Sequence, residues 1–232
     1  MKKRILVRKI HRSECHTAKG LVVVIDVIRA FTTAAFAFAS GAEKIILVST
    51  VEEAFRLKEL NPEYLLMGEV DGYPIKGFRF GNSPVEVSKE NLYGKTLVQR
   101  TSSGTQGVVG CAHADHILTS SFVVAKATLN RILEISPNQV TFVITGQTYG
   151  GSEDLALADY LEECLQSNST NPVDVEPYLK RVWDSPSAQL SLRDIHHPRC
   201  SREDLETVTR LDVFPFAMEV SKQEGLLVMH KV

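Results

Sequence analysis

The chain has 232 residues, 44% of them apolar and 23% charged, which is the balance of an ordinary globular protein able to bury one large or two small cores. With 26 basic against 28 acidic side chains the formal charge is −2, and no basic tail or basic–aromatic stripe is present, so nucleic acid is excluded as an expected partner. No apolar run reaches the length of a membrane span.

Residues 4–10 read as a first strand, too soon interrupted by Arg8 and Lys9 to be a secretion signal, and residues 11–19 as a polar connection. The cysteines at 15, 111, 164 and 200 form no C-x-x-C pair, which argues against a zinc knuckle. Without a secretion signal they are expected as reduced thiols, and the protein is expected in the cytoplasm. Leu21-Val22-Val23-Val24-Ile25 is too short for a typical helix and apolar on both faces, as suits a strand covered on both sides in a parallel sheet. The run stops at Asp26. From Ile28 to Ser40 the chain is rich in Ala, with Phe31, Ala34, Ala35 and Phe38 at helical spacing and Gly41 as a stop.

Ile45–Val48 is the next strand, residues 51–60 a helix, and Tyr64–Met67 a strand that ends in Gly68-Glu69. Strand and helix alternating in this way predict a three-layer α/β/α fold with a mainly parallel or mixed sheet and a ligand site at the strand carboxyl ends. Residues 70–83 form a longer, glycine-rich loop, and Ser83-Pro84-Val85-Glu86 reads as a capping box with proline at the first helical position.

Thr96–Gln99 is a strand, Thr101-Ser102-Ser103-Gly104-Thr105 a turn of small polar residues, and a short helix follows to about Ala112. Strands at 116–118 and 140–144 bracket a helix over 122–133, and Thr145–Ser152 opens into another helix carrying Leu155, Ala158, Leu161 and Leu165. After Gln166 the composition turns polar. Residues 167–172 read as a loop, Ser201–Asp204 as a helix start, and 216–220 with 226–230 as a closing hairpin. The division is a core over 1–166 with an extension over 167–232 packed on it, or one continuous domain over 1–232.

Asp26 with Arg29, Glu69, the turn at 101–105, and Thr145 to Asp154 all follow apolar strands, so a common rim of one sheet brings them together. Carboxylates there suit magnesium, a hard cation that takes oxygen ligands. Each also has a local explanation. Asp26 can cap a helix, Arg29 can pair with Asp26 or Glu69, and Glu153 and Asp154 suit a first helical turn. The turn at 101–105 is a phosphate nest or a simple connection, and it lacks the lysine of a P-loop. The pairs His11 and His16, His113 and His116, and His196 and His197 lack the accompanying Cys or Glu spacing of a metal site. No cysteine has the setting of a nucleophile, and Gly146–Gly151 is too irregular for a dinucleotide fingerprint.

Several of these segments together resemble the 2-phosphosulfolactate phosphatase family. They are Val24-Ile25-Asp26-Val27-Ile28-Arg29-Ala30 with Thr32-Thr33 and Gly41-Ala42, then Gly68-Glu69, Gly77-Phe78 and Gly81-Asn82-Ser83-Pro84 with Glu86. Thr101–Thr105 is similar to the family's T-x-N-G-T segment, and Glu153-Asp154 to its acidic pair. The resemblance implies a magnesium-dependent phosphatase that hydrolyses 2-phospho-3-sulfolactate to 3-sulfolactate and phosphate, a step of coenzyme M biosynthesis. It implies that Asp26, Glu69 and the pair Glu153 and Asp154 hold the metal, and that Arg29 grips an anionic group. Thr101, Ser102, Ser103, Gly104 and Thr105 would cradle phosphate or sulfonate, with Asn82 and Ser83 shaping the wall. Two positions depart from the pattern: Ser103 replaces an asparagine, and Phe31 a small hydroxyl residue. A divergent member that binds a small anion without turnover is the alternative. A homo-oligomer is compatible with the sequence, which does not count subunits.

Overall fold

The protein was analysed as a computed structural model that describes residues 4–146, 152–167, 172–193 and 200–232. Residues 147–151 of the glycine-rich segment, residues 168–171 and the pair His196 and His197 lie outside the described residues. Strand β1 (Leu6–His11) leads through a 3-10 turn (Arg12–Thr17) to β2 (Leu21–Ile25), every residue of which is buried. Helix α1 (Ala30–Ala39) follows. It starts two residues later than its sequence periodicity implies, because the Asp26 carboxylate accepts the Ala30 amide at 2.9 Å and holds the preceding turn apart.

Next come β3 (Lys44–Leu47) and α2 (Val51–Leu60), where the Thr50 hydroxyl accepts the Glu53 amide as an N-cap. Strand β4 (Leu65–Val70) turns back on a two-residue strand, β5 (Tyr73–Pro74), inside the stretch expected to be loop. Helix α3 (Pro84–Ser88), β6 (Thr96–Arg100), α4 (Gly104–Gly110) and β7 (His116–Ser120) follow. A 3-10 turn at Phe122–Val124 opens α5 (Ala125–Ile135), which stops at Ser136 in the left-handed region. Then come β8 (Gln139–Ile144), α6 (Ser152–Gln166), α7 (Glu176–Trp183), α8 (Pro186–Arg193) and α9 (Arg202–Val208). The closing hairpin forms as β9 (Met218–Gln223) and β10 (Leu226–Lys231).

The strands make one mixed sheet in the order β1-β8-β2-β7-β9-β10-β3-β6-β4-β5. β1, β8, β2 and β7 are mutually parallel, as are β3, β6 and β4. The hairpin lies between these two blocks, with β9 antiparallel to β7 and β10 antiparallel to β3. Three successive antiparallel pairings reverse the direction, so the two blocks run in opposite senses.

Side chains along the apolar strands point alternately to the two faces of the sheet. Val22 and Val24 face the cluster built with α1, where Ala34, Phe31 and Phe38 are fully buried. Leu21, Val23 and Ile25 face a second cluster with Phe122, Leu157 and Leu161 of the opposite layer. In the other block Ile46 and Val98 pack against Ala54 and Leu57 of α2. Helices therefore cover both faces, the expected three-layer α/β/α arrangement. No helix among the described residues is long and apolar enough to cross a membrane.

Candidate functional site

Asp26 follows β2 directly and is 5% exposed. Its Oδ1 accepts the Ala30 amide, and its Oδ2 lies 3.2 Å from the hydroxyl of Thr145, the residue after β8. The same hydroxyl lies 2.9 Å from the Ile25 carbonyl and 3.1 Å from Asp154 Oδ2. A threonine hydroxyl has one proton to give, so at least one of the two carboxyls supplies its own if both contacts are hydrogen bonds. Asp154 also accepts the backbone N–H groups of Val27, Thr145 and Gly146, at 2.8, 3.1 and 3.0 Å. Parallel neighbours β2 and β8 thus bring Asp26, Thr145 and Asp154 together, and Asp154 fastens both strand ends.

Glu69, near the end of β4, takes the Ser102 amide at 2.7 Å on Oε1 and the Gly72 amide on Oε2. Arg100 of β6 donates to the Glu69 carbonyl at 2.8 Å, and Arg12 donates to the Ser102 carbonyl at 2.5 Å. These contacts set the path of the turn. Thr101 and Thr105 close it from inside: each hydroxyl accepts the other's amide, at 2.9 and 3.0 Å. Ser103 precedes α4 without a side-chain cap bond.

The two blocks meet at Gly104. A methyl group there would lie 2.7 Å from Ala30 Cβ and 2.9 Å from Asp26 Oδ2, so only glycine lets the turn approach the carboxylate this closely. Asp26 and the 101–105 turn are therefore in contact. They meet because α4 crosses from β6 onto β2, and not along one straight rim, since the blocks run in opposite senses.

Arg29 pairs with neither Asp26 nor Glu69. Its Nη1 lies 3.1 Å from Oδ2 of Asp204 in α9, and both side chains are buried. Asp204 Oδ1 in turn accepts the Ser83 hydroxyl at 2.6 Å, while Ser83 Oγ accepts the Glu86 amide. The reciprocal half of the expected capping box, from Glu86 back to Ser83, does not form. Asn82 is buried beside α1, where its carbonyl accepts the Thr33 hydroxyl, and its Oδ1 has no hydrogen-bond partner. Glu153, in the first turn of α6, accepts the Ser187 hydroxyl from α8 at 2.7 Å. Phe31 is wholly buried in the core, so this departure from the family pattern lies outside the polar cluster.

Burial is the main reason that the Asp26 carboxyl is pushed up to about 7, and the charges of Glu69 and Glu153 add to it. Asp154 is pushed well above the ordinary carboxylate range by burial, by Asp26 and by Glu153, against the pull of its backbone donors. Asp26 and Asp154 thus both feel Glu153, and Asp26 feels Glu69 as well. Among the described residues, the pairs His11 and His16 and His113 and His116 included, no group of three or more His, Cys, Asp or Glu is arranged as a ready metal site. Among the described residues Asp26 Oδ2 and Glu153 Oε1 are each met by a single hydroxyl, of Thr145 and Ser187, whereas Asp154 is taken up by backbone donors. Hard oxygen donors carrying excess negative charge fit a magnesium ion that keeps most of its own waters.

Three participants had no functional signal in the sequence. Asp204 carries the local signature of a helix cap, and Arg12 and Arg100 read as surface or strand residues. Gln99 of β6 is also wholly buried, its Nε2 donating to the Ala30 carbonyl at 3.0 Å and its Oε1 left without a partner.

Comparison with known proteins follows the same segments. The family described as 2-phosphosulpholactate phosphatase matches residues 7–223. A Bacillus subtilis protein named "Probable 2-phosphosulfolactate phosphatase" is 36% identical over 203 residues, 88% of this chain and 87% of its own. A protein of the same name from Carboxydothermus hydrogenoformans is 33% identical over 214 residues, 90% of this chain and 89% of its own. One from Clostridium perfringens strain SM101 is 35% identical over 172 residues, 71% and 69% of the two chains. On this evidence the chain belongs to the 2-phosphosulpholactate phosphatase family.

Proposed function

We propose that this protein is a magnesium-dependent phosphatase that hydrolyses 2-phospho-3-sulfolactate to 3-sulfolactate and phosphate. Family membership supports phosphoric monoester hydrolysis. The observation that carries the reading to this site is the contact between the Asp26 carboxylate and the 101–105 turn at Gly104. It sets a buried acid beside a loop of backbone amides and hydroxyls, the two kinds of group that phosphoryl transfer needs in one place.

In this reading Asp26 and Glu153 hold the cation, Glu69 ties down the turn through the Ser102 and Gly72 amides, and Asp154 keeps Val27 and Thr145 in place around the site. When bound, magnesium would offset charge on the phosphoryl oxygens and lower the pKa of a bound water. The amides of Ser103 and Gly104 and the Ser103 hydroxyl cradle the phosphoryl group, while the Ser102 amide stays on Glu69 and the Thr101 and Thr105 amides stay on each other's hydroxyls. Arg29 takes an oxyanion of the substrate. Asn82 and Ser83 wall the pocket next to α1. A substrate with several acid groups would be repelled by the carboxylates alone, and the cation with Arg29 reverses that balance.

The test is phosphate release from 2-phospho-3-sulfolactate, with 2-phospholactate and p-nitrophenyl phosphate alongside, in magnesium and in chelator. Release that needs magnesium, favours the sulfonated ester and disappears in Asp26→Asn is expected. No release from any ester with magnesium present refutes the proposal.

A further inference from the structure

We propose that Asp204, in the C-terminal helix α9, is a positioning residue that orients Arg29 for an oxyanion of the substrate. The inference rests on the phosphatase reading of the site above and adds a residue to it.

The guanidinium of Arg29 is buried, and its side chain is 7% exposed against 3% for Asp204. Only one of its N–H groups has a partner among the described residues, the 3.1 Å contact from Nη1 to Asp204 Oδ2. A buried arginine with most of its donors unspent is costly unless something brings acceptors to it. Because the guanidinium is a rigid planar fork, fixing one prong sets the direction of the others. The free prongs are then pre-aimed to receive a carboxylate, sulfonate or phosphate oxygen.

Asp204 is itself held from several sides. Oδ1 accepts the Ser83 hydroxyl at 2.6 Å and lies 3.4 Å from the Val85 amide, both at the start of α3. Oδ2 accepts the Ser201 amide at 3.2 Å, and the Asp204 amide donates to Ser201 Oγ at 2.9 Å. A capping box for α9 needs only Oδ2 and leaves Oδ1 spare. Here both oxygens are engaged, one of them on the segment that carries Asn82 and Ser83. The carboxylate therefore registers three parts of the site against each other: Arg29 before α1, Ser83 before α3, and α9.

Two roles, helix cap and orienter of Arg29, are told apart by a control. Asp204→Asn with its amide oxygen kept on Ser83 removes the charge that faces Arg29 and also the acceptor of the Ser201 amide, whereas Ser201→Ala breaks the same capping box from its other side and leaves the Arg29 pair. Asp204→Glu keeps the charge but displaces it by one methylene. In the full chain, kcat and KM for 2-phospho-3-sulfolactate with magnesium, the dissociation constant of inorganic sulfate by calorimetry and the thermal midpoint are measured for each variant. For Asp204→Asn, KM and the sulfate constant are expected to rise about tenfold, the worth of one charged hydrogen bond, with kcat falling less. Asp204→Glu is expected between wild type and Asp204→Asn. Ser201→Ala is expected to lower the midpoint with both constants within about twofold of wild type.

Asp204→Asn that folds with both constants unchanged overturns the proposal, and so does Ser201→Ala that reproduces its rise. If Asp204→Asn fails to fold, Asp204→Glu decides on the same criterion. If wild type binds sulfate but releases no phosphate, the phosphatase reading fails. The weakening of sulfate binding by Asp204→Asn then still decides the positioning role.

Discussion

Replacing Asp26 with Asn should stabilise the metal-free protein while abolishing its activity. The native carboxyl is pushed from its ordinary 3.8 to about 7, chiefly by burial. It keeps its proton up to about pH 7, whereas the unfolded chain releases it near pH 4. Between those values the native state binds more protons than the unfolded state, so stability falls as pH rises through this window and stays low above it. The difference corresponds to roughly 4 kcal/mol at pH 8. An Asn at this position can still accept the Ala30 amide and can donate to the Thr145 hydroxyl, so most of that cost is recovered without losing either contact. A net gain of about 2–4 kcal/mol is expected, or roughly 5–10 °C in thermal midpoint for a domain of this size. The assay is thermal unfolding of both proteins in chelator from pH 5 to 9. The gap between the two curves should widen from pH 5 to about pH 7 and stay constant above it. If Asp26→Asn is less stable than wild type at pH 8 without metal, or if the gap does not depend on pH, the electrostatic reasoning is wrong.

Gly68→Ala should be severely destabilising, by more than about 3 kcal/mol in chemical denaturation, since it combines positive φ with a backbone collision. Gly68 has φ +141°, and a Cβ there would lie 1.8 Å from the Arg100 carbonyl of the neighbouring strand. Gly104→Ala crowds the Asp26 carboxylate. It should cost about 1–3 kcal/mol and lower kcat/KM more than tenfold, measured by denaturation and phosphate release. Thr145→Val removes one of the hydrogen bonds that hold the Asp26 carboxyl down. The acid limb of the pH–rate profile should therefore move to higher pH, and a profile superimposable on wild type would count against a working role for Asp26.

Short-range patterns carried most of the architecture into the sequence. The Leu21–Ile25 run, helix α2 and the closing hairpin were all visible in periodicity and capping residues, because those are properties of neighbouring side chains. The position of the hairpin was not visible. Nothing in Met218–Lys231 says that it pairs with β7 on one side and β3 on the other, which is a choice among distant partners. The site shows the same division. Asp26, Glu69 and the 101–105 turn stood out as polar residues after apolar strands. Asp204 did not, because Ser201-x-x-Asp204 is fully explained as a helix cap, and a residue with a sufficient local role gives no sign of a distant one. Arg29 stands out, but its partner Asp204 lies in the last third of the chain, far from the segments that carry the motif.

The place of the hairpin bears on how the protein is made. A ribosome has already released both parallel blocks before it adds the strands that join them, since β9 and β10 lie at Met218–Lys231. Until then β7 and β3 expose open backbone edges, a state prone to wrong pairing between nascent chains. Trimming the chain before residue 218 should leave two half-sheets that cannot align Asp26 with Gly104, so a hairpin translated after both blocks licenses a pocket encoded almost entirely upstream of it.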